Sequence, residues 1–275
     1  MNEPGSPEET MNATVVANRH LNDSLFVLEV RCDGAKPAQD AGQFASLGLP
    51  ARTPEHAGKD GLVKRPYSIA SAPSAPTLEF YVRLVEGGAL TPSLQALRAG
   101  DRLWVDERCR GKFTLTHLPD EPSAHERDLV LVATGTGLAP YLSMLREHRA
   151  ARERSAGALW NRCVVLEGVR LAEDLGYVDE LDALAREHDW FHYLPACSRE
   201  PAGSSWSGTR GRVGELLRTD VFRERTGFAL DPRTCQVMLC GNPQMIDELE
   251  PDLVARGFAR HRKKEPGQLH IERYW

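Results

Sequence analysis

What the chain lacks narrows it first. It has no uninterrupted apolar run of about 18 residues, so no membrane-spanning helix is expected. It has no basic excess: 34 Lys and Arg stand against 39 Asp and Glu, a formal net charge of −5, which argues against a general nucleic-acid binder. It has no Cys-x-x-Cys pair. Cys32, Cys109, Cys163, Cys197, Cys235 and Cys240 are scattered, so zinc or iron–sulfur ligation has little support. Met1 to Thr10 is polar, acidic and carries Pro and Gly, the opposite of a secretory signal. Residues 1–11 therefore read as a disordered tail, and the thiols as free groups in a reducing cytoplasm. No internal repeat is evident.

What is present is apolar material, 41% of 275 residues, enough for one large or two medium domains. The two halves read differently. Thr14 to Val16, Leu25 to Val30, Gly42 to Leu49, Leu78 to Val85, Leu103 to Val105 and Gly111 to Leu115 read as short strands. Turn signals separate them, which predicts an antiparallel barrel or sandwich. Leu94 to Leu97 reads as a short helix, and residues 50–64 as a loop. The pattern changes near residue 125. Leu129 to Ala133 is a continuous apolar run, as in a parallel strand covered on both faces. Strands at Cys163 to Leu166, Trp190 to Leu194 and Gln236 to Cys240 alternate with helices at Leu138 to Arg149, Tyr177 to His188, Gly214 to Arg218 and Gln244 to Arg256. That alternation predicts an α/β domain with a parallel sheet. The expected division is a first domain over 12–122 and a second over 123–275.

Several segments carry chemistry. Arg65-Pro66-Tyr67-Ser68-Ile69-Ala70-Ser71 joins a planar donor fork, a flat phenol and two hydroxyls, a surface suited to an anionic ligand with a flat ring. It reads equally as an edge strand that begins at a proline. Gly87-Gly88-Ala89-Leu90-Thr91 lets backbone approach an anion if a helix starts at Thr91, or is a plain capped helix. Thr134-Gly135-Thr136-Gly137 ends a buried strand and opens a helix, a common place for nucleotide phosphate. Pro140 stands where a third glycine would complete the dinucleotide fingerprint. Arg170, Arg199 and Arg212 follow strands and can gather at one sheet end, where a phosphomonoester fits; solvated surface arginine is the usual alternative. Cys240-Gly241-Asn242-Pro243 turns from a strand into a helix. The chain closes on Glu272-Arg273-Tyr274-Trp275, aromatics that are costly to leave wet.

Taken in order, Gly42-Gln43-Phe44, Arg65-Pro66-Tyr67-Ser68, Phe80-Tyr81-Val82-Arg83, Gly88 to Thr91, Thr134 to Pro140, Ser198-Arg199-Glu200, Gly211-Arg212, Cys240 to Pro243 and Glu272 to Trp275 resemble the bacterial ferredoxin/flavodoxin–NADP reductases, in the subclass with a C-terminal aromatic tail. The resemblance runs from about residue 12 to the last residue. It implies an N-terminal six-stranded antiparallel FAD-binding β-barrel and a C-terminal Rossmann-like NADP-binding domain. It places Arg65, Pro66, Tyr67, Ser68, Tyr81, Val82, Arg83, Gly88, Ala89, Leu90, Thr91, Thr134, Tyr274 and Trp275 on FAD. Gly135, Thr136, Arg170, Ser198, Arg199, Arg212 and Asn242 fall on NADP. Ser68 and Cys240 become positioning residues of the hydride step, with Glu272 a weaker candidate for proton handling.

The function implied is exchange of electrons between NADP(H), two at a time, and a one-electron carrier, ferredoxin or flavodoxin, through FAD. Any iron–sulfur centre then sits on another protein. The expected chain is a cytoplasmic monomer with no metal, no nucleic acid and no membrane partner. Two alternatives stand beside it: the reductase component of an oxygenase system without its own cluster, and a flavin-binding subunit that does not turn over. The 50–64 loop, the N-terminal tail and the Gly/Ser-rich stretch 201–210 depart from the family pattern, and the last weakens the assignment of Arg212.

Overall fold

The computed structural model describes residues 10–58, 60–118, 127–154 and 160–273. Nearly all of the expected N-terminal tail, and the Tyr274-Trp275 pair, lie outside the described residues. The chain divides into two compact units, residues 1–115 with 142–147, and residues 116–141 with 148–275.

The first unit is a six-stranded antiparallel sheet of β1 (Ala13–His20), β2 (Leu25–Cys32), β3 (Phe44–Pro50), β4 (Leu62–Ser68), β5 (Leu78–Arg83) and β6 (Arg102–Val105), in the order β4-β3-β6-β1-β2-β5. Alternation drives it. Phe26, Leu28 and Val30 of β2 enter one core with Leu47, Val63, Ile69, Phe80 and Val82. Asn22 makes the β1–β2 turn, its Oδ1 accepting from the N–H groups of Ser24 and Leu25, each at 2.9 Å. The two ends of the sheet meet where Ile69 bridges Phe80 and Ala70 N donates to Glu79 O at 2.7 Å, which curls the sheet toward a barrel. β4 starts at Leu62, so Pro66 lies inside the strand rather than at its beginning, and the expected 50–64 loop ends earlier. The short helix α1 is Thr91–Gln95: it starts at Thr91, the start that the Gly87 to Thr91 reading considered, and not at Leu94; Pro92 fixes its first turn.

The second unit is a six-stranded parallel sheet of β7 (Asp128–Thr134), β8 (Arg162–Val169), β9 (Phe191–Cys197), β10 (Thr209–Arg210), β11 (Cys235–Gly241) and β12 (Leu269–Arg273), ordered β10-β9-β8-β7-β11-β12. Its helices are α2 (Ala139–Glu153), α3 (Val178–Glu187), α4 (Thr219–Thr226) and α5 (Pro243–Ala255). β11 is buried along its whole length, which is why its sequence does not alternate. The expected Gly214 to Arg218 helix is a single 3-10 turn, Val213–Leu217, and α4 follows it unannounced. Thr219–Thr226 is polar and buries only Phe222 and Thr226, too little for a helical stripe in the sequence. β12 was not expected either; it adds a parallel edge strand beside β11.

Candidate functional site

At the end of β4 the register sets Ser68 opposite Phe44 and Tyr67 opposite Ala45. Ser68 is buried, Tyr67 is half-buried, and Arg65 and Pro66 are exposed. Tyr67 packs on the core that contains Ile69. Burial pushes its phenol up to about 12, against a smaller pull from Arg65, so the hydroxyl stays protonated at neutral pH. Arg65 donates to Lys64 O at 2.8 Å, and the rest of its fork has no partner among the described residues. The Ile69–Phe80 bridge lays this strand end against β5. There Tyr81 is buried and Arg83 half-buried, while Val82 belongs to the core and offers a ligand only its backbone.

The loop after β5 is closed by its own side chain. Thr91 Oγ1 accepts from Val85 N at 3.0 Å and lies 3.3 Å from Val85 O as donor. Gly88 is required by this closure, since a Cβ there would stand 2.8 Å from Val85 O. Leu90 is anchored in the core. The backbone N–H groups of Ala89, Leu90 and Thr91 find no acceptor among the described residues. Consecutive unpaired N–H groups, with the unspent Arg65 fork, fit the phosphates of a flavin dinucleotide.

In the second unit the strand order reverses between β7 and β11, the place where open α/β sheets take ligands. Gly135 follows β7 at φ +53, with no atom within 4 Å of where a Cβ would stand, so its backbone is open to close approach. Thr136, next in the turn, is half-buried. Gly137 serves packing instead: a Cβ there would meet Cys240 O at 2.3 Å. Thr134 Oγ1 accepts from Asn242 N at 2.8 Å and ties the two strand ends together. Asn242 Oδ1 accepts from Gln244 N at 2.8 Å, so this side chain, expected on NADP, caps α5. Cys240 is fully buried and stands in register with Glu272 of β12, its Sγ donating to Oε2 at 3.9 Å. Burial pushes the Glu272 carboxyl up to about 7, with the thiol hydrogen bond opposing, so it holds or releases a proton near neutrality.

The arginines separate into two kinds. Beyond the paired ends of β8 and β9 the ladder continues, Ser198 N donating to Val169 O at 3.0 Å and Arg199 N to Arg170 O at 2.8 Å. Ser198 Oγ also donates to Val169 O, at 3.1 Å. This zipper makes Arg170 and Arg199 neighbours. Both are exposed, and neither guanidinium has a partner among the described residues. Arg212 is engaged in an ion pair with Glu248 of α5. Two unspent guanidiniums on adjacent strand ends fit a phosphomonoester.

Two residues escaped the sequence reading, Arg210 and Glu167, and Glu200 stands in it without a role. Arg210 and Glu200 build the loop that follows β9. Glu167 is buried in β8, where Tyr193 OH donates to its Oε2 at 2.6 Å. Burial pushes its carboxyl up to about 8, opposed by that bond and by the Gly176 N–H. The available signal was a lone charge inside the apolar run Cys163 to Val169.

The family model for the oxidoreductase NAD-binding domain matches residues 131–250. Ferredoxin–NADP reductase B of Sorangium cellulosum is 38% identical over 271 residues, covering 97% of this chain and 98% of the relative. The flavodoxin/ferredoxin–NADP reductase of Escherichia coli is 33% identical over 260 residues, covering 94% and 95%. Among solved structures, a ferredoxin NADP+ reductase from Neisseria gonorrhoeae with bound FAD and NADP is 27% identical, with a TM-score of 0.80 over 95% of this chain and 97% of that one.

Proposed function

This chain belongs to the ferredoxin/flavodoxin–NADP reductase family, and from that premise we propose that it exchanges electrons between NADP(H) and a one-electron carrier, ferredoxin or flavodoxin, through FAD. The observation that carries the choice of NADP is the Arg170–Arg199 fork, two guanidiniums without partners among the described residues, at the carboxyl end of a parallel sheet. FAD, when bound, accepts electrons in pairs and releases them singly. Arg65, Tyr67, Ser68, Tyr81, Arg83 and the backbone from Val82 and Gly88 to Thr91 would hold it. Pro66 contributes rigidity to that strand. Gly135, Thr136, Ser198 and the fork would hold NADP(H), with Thr134 and the Asn242 backbone fixing the turn between them. Glu272 would hold a proton on its carboxyl beside the Cys240 thiol at neutral pH.

The folded domains in this reading run over 12–122 and 123–275. In this reading the chain acts as a monomer, with ferredoxin or flavodoxin as its partner. No helix among the described residues is long and apolar enough to cross a membrane.

The test is anaerobic mixing of the yellow protein with NADPH or NADH, followed by addition of oxidised ferredoxin or flavodoxin. NADPH is expected to bleach the flavin at least tenfold faster than NADH at equal concentration, an advantage on the order of 1.4 kcal/mol, and a carrier to restore the colour. Yellow protein that NADPH cannot bleach overturns the proposal in favour of a flavin-binding subunit that does not turn over.

A further inference from the structure

Beside the two arginines of the fork stands a third, fully committed one. Arg210, at the end of β10, sends Nη1 to Glu200 O at 3.1 Å and Pro201 O at 2.9 Å, and Nη2 to Ser204 Oγ at 3.2 Å and Trp206 O at 2.8 Å. The loop 200–206 is wrapped around this guanidinium, and Trp206 closes it by donating from Nε1 to Thr209 O at 3.2 Å. Gly211 N donates to Cys197 O at 3.0 Å and fastens the far end of the loop to β9. On the other side Glu200 Oε2 accepts from Ala172 N at 2.7 Å, two residues past Arg170. Ser198, Arg199 and Glu200 thus latch in succession onto Val169, Arg170 and Ala172. The last tooth of this zipper is the only one made by a carboxylate, and its backbone is held by Arg210.

We propose that Glu200, braced by Arg210, is a positioning residue that sets the spacing of the Arg170–Arg199 fork and so the preference for a 2′-phosphorylated adenine nucleotide. The inference rests on the fork being the 2′-phosphate site. Glu200 brings a negative charge toward that site, a liability for binding a phosphate. The charge is balanced locally: hydrogen bonds from Ala172 N–H and Ser204, and the nearby Arg210, hold the carboxyl below its ordinary range. A residue kept there against its electrostatic cost is explained by the latch. Arg210 has both terminal nitrogens occupied by carbonyl and hydroxyl oxygens, so its part is structural.

Charge and position predict opposite signs, which makes the test decisive. Binding of adenosine 2′,5′-bisphosphate and of 5′-AMP to the purified full chain is measured by calorimetry. Glu200→Gln keeps an acceptor for Ala172 N–H and removes the charge, so bisphosphate binding stays equal or tightens. Glu200→Ala removes the latch as well, and bisphosphate binding weakens about tenfold, lowering the bisphosphate-to-AMP ratio by the same factor. Arg210→Met moves the ratio in the same direction as Glu200→Ala. Tighter bisphosphate binding by Glu200→Ala, or equal loss of both nucleotides, overturns the proposal. Arg199→Ala is the control for the underlying reading. If it leaves the ratio unchanged, the fork is not the phosphate site and the proposal falls with it. If it collapses the ratio while Glu200→Ala does not, the fork stands and the positioning role falls alone.

Discussion

The two units keep anion-binding groups in reserve in different parts of the chain. In the first, the unspent donors are the backbone N–H groups of Ala89, Leu90 and Thr91, and the loop's side chains are used to hold its shape. In the second, they are the guanidiniums of Arg170 and Arg199, and backbone bonds hold them side by side. A backbone site tolerates most side-chain changes and fails when its closure is broken. A side-chain site can be taken apart one residue at a time. The same contrast extends to titrating groups. The shifted carboxyls of the first unit, Asp33, Glu55 and Asp60, are held low by hydrogen bonds. Glu167 and Glu272, raised by burial, both belong to the second.

The largest effect is expected from that last difference. Glu167 moves from an ordinary 4.5 to about 8 on folding. Between those values the folded chain keeps a proton that the unfolded chain has released, so stability falls as pH rises, by up to about 1.4 kcal/mol per pH unit. Above pH 8 the fall stops. Glu272 adds a like contribution that ends near pH 7. Glu167→Gln removes its share, and a plot of urea midpoint against pH from 5 to 8.5 becomes flatter than the parent's. Parallel curves would mean that the carboxyl is not protonated in the folded chain.

Next in size is Thr91→Val, which keeps the shape and deletes the hydroxyl that closes the loop. Val85 N–H then loses its acceptor, and because Val85 is exposed the loss is that of an ordinary hydrogen bond, about 0.5–1.5 kcal/mol. Flavin is expected to dissociate on dialysis, read as a fall in the ratio of yellow to protein absorbance. Nicotinamide-dinucleotide binding in the second unit stays unchanged. Full retention of flavin would show that the loop does not depend on this closure.

Much of the fold was legible because burial writes itself into hydrophobic spacing. β7 and β11 announced a parallel sheet through unbroken apolar runs, and β2 announced an antiparallel one through alternation. α4 was illegible because a helix burying two residues in eight leaves no stripe. β12 was illegible because five residues at the chain's end become a strand only through pairing with β11. The site divides along the same line. Which residues carry charge is written in the sequence; which charges are already spent is decided by tertiary partners. The sequence set Arg212 below Arg199 only because of the inserted stretch before it and not because of its Glu248 partner, and Arg210, whose partners are carbonyl and hydroxyl oxygens, gave no signal at all.

The smallest effect follows from this distinction. Arg212 is exposed and already paired with exposed Glu248. A ligand phosphate must replace that partner, and an exposed ion pair is worth about 0–1 kcal/mol. Recruiting Arg212 costs up to that much, so its net contribution falls below that of a guanidinium with no partner to give up. Arg212→Ala is expected to raise KM for NADPH by less than about threefold, where Arg199→Ala raises it about tenfold. Glu248→Gln frees the guanidinium and is expected to lower KM for NADPH by about twofold at low salt, an advantage that shrinks as salt screens the site. KM for NADH stays level throughout, because NADH lacks the phosphate that separates the two kinds of arginine. If Arg212→Ala matches Arg199→Ala, the ion pair is not holding Arg212 back, and all three arginines act as one phosphate site.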